Sequence, residues 1–142
     1  MKKYLALLTI VPLILIISAP AYGKHPHKEK EYQKVWCDKA GGVMEYVVSG
    51  GSRVDCLTTT HAVEVEFAPK WQEAIGQALY YGKKTKRTPG IVLILESKVD
   101  NKYLGRLIYT LKKNYPFVRV WPIRAKDIKT DGVTPAEIEK EP

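Results

Sequence analysis

The fold is decided by residues 53–81, which read RVDCLTTTHAVEVEFAPKWQEAIGQALYY. Arg53 to Leu57 and Ala62 to Phe67 are short segments rich in residues that suit a pleated sheet, so each predicts a β-strand. Pro69 then opens a helix, since proline is tolerated at the first helical position. At about 100° per residue, this helix has one core-facing stripe, formed by Trp71, Ile75, Ala78, Leu79 and Gly82. Two strands and a helix packed on the sheet are therefore expected here.

Upstream of this stretch, the sequence predicts one helix and one further strand. The helix runs from Glu31 to Lys39, and the strand from Val43 to Val48. The run Ser49-Gly50-Gly51-Ser52 is a hairpin turn signal that joins this strand to the one beginning at Arg53. One helix is thus followed by a meander of three strands.

Downstream, helices and strands alternate. Ile91 to Leu95 is a continuous apolar run, typical of a strand buried on both faces. Asp100 is positioned to cap a last helix. The core residues of that helix are predicted to be Leu104, Leu107, Ile108 and Leu111. Phe117 to Trp121 is a final strand, which Pro122 ends. This order of elements predicts an α/β fold, with a mixed central sheet and helices on both faces.

The first 23 residues have the three parts of a secretory signal peptide. Lys2 and Lys3 give a positive end, and the apolar run from Leu5 to Ile17 is shorter than the roughly 20 residues that a spanning helix needs. Ala21-Tyr22-Gly23 is a small-x-small cleavage site, with a cut after Ala21 as the alternative. We expect a periplasmic or secreted protein with no stable membrane insertion after cleavage. An uncleaved membrane anchor is the alternative.

Length and charge bound the rest of the chain. The 142 residues leave room for one ordinary domain once the signal is removed. We predict a flexible arm at 24–30, a domain at 31–125 and a disordered tail at 126–142. Removing the two lysines of the signal leaves 23 − 2 = 21 basic residues against 15 acidic ones. This excess suits a polyanionic partner, although many solvated surfaces share it.

The two cysteines, Cys37 and Cys56, allow one internal pairing. In an exported protein an even count favours a disulfide, and a loop of this length would be stabilised by about 3 kcal/mol. Two buried thiols are the alternative. Zinc is disfavoured by the separation of the cysteines and by the lack of neighbouring histidines.

Three acids lie in the predicted second and third strands. Side chains alternate along a strand, so Glu64 and Glu66 share a face, and Asp55 in the neighbouring strand can point the same way while Cys56 points to the opposite face. Converging carboxylates repel one another unless a cation lies between them, and Mg²⁺ prefers oxygen ligands. The pattern predicts a site for Mg²⁺ or Mn²⁺. The alternative is the solvated polar face of an edge hairpin.

The chain resembles the PD-(D/E)XK, or restriction-endonuclease-like, nucleases. The resemblance is carried by Arg53-Val54-Asp55, by Glu64-Val65-Glu66 and by the helix over residues 70–81. Some of these enzymes have a Gln-x-x-x-Tyr motif in that helix, and Gln77 and Tyr81 have its spacing. The order of elements also fits, so the resemblance covers most of the mature domain. It implies a restriction-endonuclease-like fold, in which Gln77 and Tyr81 contact the nucleic-acid strand or orient the acids.

The resemblance also implies the hydrolysis of phosphodiester bonds in DNA. Asp55 and Glu64 would hold the metal, which lowers the pKa of a bound water. The family usually has lysine where this chain has Glu66, so either Glu66 or Lys70 from the next helix would position the attacking water. The alternative function is a catalytically inactive binding module of the bacterial envelope. For Gln77 and Tyr81 the alternative is an ordinary exposed helix face.

Two further features have weaker functional interpretations. His61 beside the acids is a possible extra base or ligand, although a turn histidine is more often a bystander. The basic run from Lys83 to Arg87 could contact phosphates. The interpretation we favour is a solvated helix end whose cations suit the negative end of the dipole.

Overall fold

The computed structural model describes residues 25–128, which form a five-stranded mixed sheet. The strands lie in sequence order, as β1 (Val43–Val47), β2 (Arg53–Leu57), β3 (His61–Phe67), β4 (Thr88–Leu95) and β5 (Arg119–Arg124). The pairs β1–β2 and β2–β3 are antiparallel, whereas β3–β4 and β4–β5 are parallel. The predicted mixed central sheet is confirmed.

Helices cover both faces of this sheet. They are α1 (Glu29–Lys39), α2 (Trp71–Thr85), α3 (Asn101–Asn114) and the short α4 (Ala125–Ile128). The connections β3–α2–β4 and β4–α3–β5 advance across the sheet in the same direction, so their right-handed crossovers place α2 and α3 on the same face. Helix α1 packs on the opposite face. Within residues 25–128 no helix has the length and apolar content needed to span a bilayer.

Strand β4 divides the core into two layers. Ile91, Leu93 and Leu95 pack against α2 and α3, whereas Val92 and Ile94 pack against α1. All five side chains are at most 1% exposed. The prediction that this apolar run is a strand buried on both faces is therefore confirmed.

A disulfide joins α1 to β2. Cys37 and Cys56 are bonded, with their Cα atoms 5.7 Å apart. Gly42 lies against the bond, because a Cβ built there would be 2.4 Å from Sγ of Cys56 and 2.9 Å from Sγ of Cys37. The predicted pairing is confirmed, and it requires a residue without a side chain at position 42.

Several element boundaries differ from the sequence prediction. Helix α1 begins at Glu29, so the last two residues of the predicted arm are helical. Strand β5 starts later than predicted and passes through Pro122 to Arg124. The prediction that Pro122 ends the strand was wrong, because β5 is an edge strand and a proline there removes no ladder hydrogen bond on its open side.

The chain ends are described only in part. The predicted signal peptide at 1–23 lies outside the described residues. The first three residues of the predicted tail, 126–128, belong to α4, which contradicts disorder for that segment. The backbone N–H of Arg124 donates to Asp127 Oδ2 at 2.7 Å, which satisfies a donor at the start of this helix. The remainder of the tail, 129–142, also lies outside the described residues.

Two predictions for α3 were wrong. Ile108 is 50% exposed, because the buried stripe is centred on Leu107 and Leu111. Asp100 does not cap α3. Its Oδ2 accepts the N–H groups of Glu96 and Ser97 at 3.0 and 2.8 Å, and this closes a 3₁₀ turn that precedes the helix.

Candidate functional site

The three predicted acids lie together where β2 and β3 meet. Glu64 and Glu66 are 5% and 6% exposed, and Asp55 is half-buried. Glu64 and Glu66 are in register with Ile91 and Leu93 of β4, so they share the sheet face that α2 and α3 cover. The structure thus places the acids on one face of the sheet. Cys56 is packed with the α1-facing core, away from them.

The Asp55 side chain accepts a backbone hydrogen bond from β3 at the point where the pairing of β2 with β3 ends. Strands β2 and β3 pair through Cys56–Val63 and Leu57–Ala62. Beyond that point the backbone N–H of Val65 donates to Asp55 Oδ2 at 2.8 Å. The Asp55 side chain therefore closes the space where the ladder stops, which fixes its carboxylate beside β3.

The Glu64 carboxyl group is protonated at neutral pH. Burial, then the charge of Asp55 and a hydrogen bond to it, raise its pKa to about 9. Its proton is donated to the Asp55 carboxylate. Burial raises the pKa of Asp55 to about 6, although the Val65 N–H opposes this shift. Glu64 Oε2 is buried and has no hydrogen-bond partner within residues 25–128.

A fourth acid, Glu29, joins this group from the first turn of α1. Burial, followed by the charge of Glu66 and a hydrogen bond to it, raises the pKa of Glu29 to about 7. We call Glu29, Asp55, Glu64 and Glu66 the acid cluster. Sequence reasoning missed Glu29 because it was assigned to the arm. The available signal was its spacing, since Glu29, Gln33 and Cys37 recur every four residues on the helix face that the disulfide turns toward the sheet.

Gln33 links α1 to the strands next to the cluster. Its side chain is 4% exposed, and its Nε2 donates to the backbone oxygen of Asp55 at 2.7 Å and to Glu45 Oε1 at 3.1 Å. Glu45 has a φ of 54°, a left-handed conformation that is strained for a non-glycine residue. An Arg53 guanidinium nitrogen lies 3.7 Å from Glu45 Oε2. These contacts hold the backbone of β2 in place at Asp55.

Lys70 reaches the cluster from the 3₁₀ turn Ala68–Lys70. Its Nζ is 3.9 Å from Oε1 of Glu66, which also accepts the backbone N–H of Phe67 at 2.9 Å. The lysine side chain is 55% exposed. Because water screens this ion pair, the main effect of Lys70 is to place one positive charge at the rim of the acid cluster.

The residues of the Gln-x-x-x-Tyr motif differ in their relation to the acids. Tyr81 is 8% exposed, and burial together with the charge of Glu64 raises its pKa. Gln77 is half-buried, and within residues 25–128 it makes no hydrogen bond to the acid cluster. Tyr81 is therefore close enough to Glu64 for its pKa to respond to that charge.

His61 and the basic run lie elsewhere. His61 begins β3, where its ring packs edge-on against Trp121, and burial followed by the charge of Arg119 lowers its pKa. At the end of α2, the Arg87 guanidinium donates to the backbone oxygen of Thr58, which ties the loop before β4 to the loop before β3. His61 and Arg87 thus each have a structural contact of their own, with Trp121 and with Thr58.

The carboxyl oxygens of the acid cluster suit a hard divalent cation, but the side chains are not arranged around a common point. Mg²⁺ and Mn²⁺ take oxygen ligands, and four carboxyl groups with one unpartnered buried oxygen supply them. Among residues 25–128 no three acidic, histidine or cysteine side chains are placed to hold an ion together. Ion binding would require the carboxyl groups to lose protons and turn toward a common point.

Comparison with known proteins finds partial similarity to a KilA-N domain-containing protein of Acanthamoeba polyphaga mimivirus. The two are 34% identical over 76 residues, which is 51% of this chain and 30% of the viral protein. The chain therefore spans about 30% of the length of this relative. No family model matches the chain. No solved structure matches it.

Proposed function

We propose that this domain is a metal-dependent nuclease of the restriction-endonuclease-like type, hydrolysing phosphodiester bonds in DNA at the acid cluster. The observation that carries the proposal is the buried Oε2 of Glu64, which has no hydrogen-bond partner within residues 25–128 although three other carboxyl groups surround this residue. An unpartnered buried oxygen is costly, because it has lost water without gaining a substitute. A cation bound there would remove that cost.

The raised pKa values of the cluster support the same proposal. Glu29, Asp55 and Glu64 have pKa values of about 7, 6 and 9, each raised first by burial. A folded domain gains nothing from assembling buried acids that repel one another, so such clusters are candidates for functional sites. A divalent cation would let the carboxyl groups ionise together.

Each residue has a definite part in the proposed reaction. Asp55 and Glu64 would hold Mg²⁺ or Mn²⁺, which supplies a bound water of lowered pKa when present. Glu66 and Lys70, 3.9 Å apart, would orient the attacking oxygen and balance charge on the phosphate. Tyr81, buried beside Glu64, would keep the acids in position. Gln77, which is half-buried in α2, would contact the DNA strand.

Two further points support DNA as the substrate. KilA-N is a DNA-binding domain, and this chain shares 34% identity over 76 residues with a protein that contains one. Without the two lysines of the predicted signal, the chain has 21 basic and 15 acidic residues, a net charge of 21 − 15 = +6, which favours a polyanionic partner. The signal peptide predicted at residues 1–23 would carry the domain out of the cytoplasm, so its substrate would be DNA that it meets there.

A catalytically inactive binding module is the second candidate. Two observations favour it. Glu66 replaces the usual lysine of the family, and its Oε1 is already engaged by the backbone N–H of Phe67. The described residues also lack a preformed trio of ligands. Such a module would bind nucleic acid without cleaving it.

The deciding experiment is a cleavage assay with purified mature protein. Single- and double-stranded DNA would be incubated in Mg²⁺, Mn²⁺ or EDTA with the wild type, Asp55→Asn, Glu64→Gln and the matched control Glu73→Gln, which alters an exposed acid of α2. A nuclease cleaves only with metal, and the two cluster variants lose at least about 100-fold while the control does not. DNA binding without cleavage in either metal supports the binding module instead.

A further inference from the structure

The outer surface of the helix layer carries the same row of residues twice. Each row places a glycine, a tyrosine and a lysine four residues apart: Gly76, Tyr80 and Lys84 in α2, and Gly105, Tyr109 and Lys113 in α3. Residues four apart share one face of a helix. Helices α2 and α3 are neighbours on one face of the sheet and run in the same direction, and all six of these residues are exposed. We call these six residues the paired rows.

Both tyrosines of the paired rows point to solvent. Tyr80 is 46% exposed and Tyr109 is 83% exposed, whereas the opposite sides of their helices are buried at Ala78 and Leu107. A tyrosine on a helix leans over the turn that precedes it, and here that turn presents a glycine. The preceding turn therefore leaves space beside each ring, and the Tyr80 ring also meets the Tyr81 ring edge-on, with their centroids 5.2 Å apart.

No packing requirement explains the two glycines. A Cβ at Gly76 or Gly105 would meet no atom within 4 Å, and neither residue has a positive φ. A glycine inside a helix costs about 1 kcal/mol relative to alanine. The paired rows thus keep free space beside an exposed aromatic ring in both helices, at a cost to stability.

The same surface is strongly cationic. Helix α3 has four basic residues, Lys102, Arg106, Lys112 and Lys113, and no acidic one. None of the four forms an ion pair with a carboxylate in the part of the chain that the structure describes. In α2, Nζ of Lys84 lies 5.6 Å from the centre of the Tyr80 ring. Cations without a carboxylate partner, beside exposed aromatic rings, complement a nucleic-acid strand that has both phosphates and bases.

We propose that the paired rows bind a single strand of nucleic acid, with bases stacked on Tyr80 and Tyr109 and phosphates on the surrounding cations. Proteins that bind single strands combine a basic track with aromatic side chains, and each stacked base contributes about 1–3 kcal/mol. A duplex fits less well, because its bases are already stacked on one another. A membrane surface fits less well too, since Leu107 and Leu111 of α3 pack in the core and leave Ile108 as the exposed aliphatic side chain of that helix.

This surface goes beyond the proposed nuclease activity. It lies on the outer side of α2 and α3, whereas the acid cluster faces the inner side of α2 and the gap between β2 and β3. It requires no metal. Binding by the paired rows can therefore succeed where cleavage fails, and the reverse also holds.

Fluorescence anisotropy in EDTA tests the proposal without the metal site. The mature protein would be titrated with a labelled single strand of about 16 nucleotides and with the corresponding duplex. Tyr80→Ala and Tyr109→Ala should each raise the Kd for the single strand by between about fivefold and about 100-fold. Tyr80→Phe and Tyr109→Phe should keep the wild-type affinity for the single strand, because phenylalanine retains the stacking ring. The matched control is Tyr46→Ala, which removes a tyrosine that is 43% exposed on β1 and does not belong to the paired rows.

Salt dependence and lipid binding complete the test. Lys113→Ala should lower the slope of log K against log salt by about 0.7, as the loss of one phosphate contact from a single strand does. Equal effects of the Tyr109→Ala and Tyr46→Ala variants would overturn the proposal, and so would a duplex that responds to the tyrosine variants as strongly as the single strand. It would also be overturned if phosphatidylglycerol vesicles, and not oligonucleotides, bound in a manner that required the two tyrosines.

Discussion

Glu64 donates a hydrogen bond to the Asp55 carboxylate across the gap between β2 and β3. Its Oε2 is buried with no partner among the other side chains and backbone groups of residues 25–128. Burial and the neighbouring charges favour the protonated form of Glu64 in this arrangement. Ionisation would place two buried charges side by side with no cation between them. The stability of the acid cluster is therefore coupled to pH, and the metal ion that we propose for it would be coupled to the same carboxyl groups.

We expect the metal-free protein to lose stability as the pH rises. The pKa of Glu64 is about 9 in the folded state against an ordinary value of 4.5, so between these values the folded state holds a proton that the unfolded state has released. The contribution of Glu64 to the free energy of unfolding is therefore fully present below about pH 4.5, and it declines as the pH rises toward 9. In EDTA the Tm should fall between pH 5 and pH 9, with each lost kcal/mol lowering it by about 4–8 °C.

The variant Glu64→Gln isolates this effect. It keeps the shape of the side chain and removes its titration, so the Tm of Glu64→Gln should depend less on pH than that of the wild type. Glu73→Gln, an exposed change in α2, should keep the wild-type slope. A Tm of the wild type that rises steadily to pH 9 in EDTA would show that Glu64 is not the controlling group.

Divalent metal should reverse the loss at high pH. Metal binds the deprotonated carboxyl groups, so Mg²⁺ or Mn²⁺ should raise the Tm more at pH 8 to 9 than at pH 5. At concentrations well above Kd the gain in stability grows with the logarithm of metal concentration. Asp55→Asn should abolish the shift, whereas Glu73→Gln should retain it. An unchanged shift in Asp55→Asn would place the metal elsewhere.

The pattern of the sequence predicts the sheet better than it predicts the site. The run from Ile91 to Leu95 could be recognised because a strand buried on both faces needs apolar residues at every position. Strand alternation likewise placed Glu64 and Glu66 on one face. Glu29 could not be found in this way, because it joins the cluster only when α1 packs across the sheet. The prediction that Pro122 ends its strand was wrong because a strand accepts proline only where it lies at the edge of a sheet, and that position is a tertiary property.

The disulfide should contribute stability without affecting the acid cluster. Replacing both Cys37 and Cys56 by serine should lower the free energy of unfolding by about 3 kcal/mol in chemical denaturation. The metal-induced rise in Tm should persist, because Cys56 packs against α1 on the face away from the acids. Loss of the metal effect in the double variant would show that the bond also positions the cluster.

Two glycine-to-alanine changes should have opposite effects. At Gly42 a Cβ would lie 2.4 Å from Sγ of Cys56, so Gly42→Ala should destabilise the fold by forcing the disulfide to move. At Gly105 a Cβ would meet nothing within 4 Å, so Gly105→Ala should stabilise α3 by about 0.5–1 kcal/mol. Urea titrations of both variants test this pair. A stabilised Gly42→Ala would contradict the close packing at the disulfide.

The last prediction separates an active nuclease from an inactive relative. Water activation requires a group that orients the attacking oxygen beside the metal, and the usual lysine is replaced here by Glu66. Lys70 is the nearby cation, with its Nζ 3.9 Å from Glu66 Oε1. If it has taken over that role, Lys70→Ala should reduce the cleavage rate at saturating DNA by at least about 100-fold. The control is Lys83→Ala, which changes an exposed lysine of α2. It should alter only the affinity for DNA, and lowering the ionic strength should restore that affinity.

Glu66→Lys, which restores the family pattern, should keep or raise cleavage in a nuclease. In an inactive module the same change should leave DNA intact and weaken the metal-induced rise in Tm, because it removes one carboxylate from the cluster. A Lys70→Ala variant that loses affinity but not rate would assign Lys70 to substrate binding and leave Glu66 to position the water.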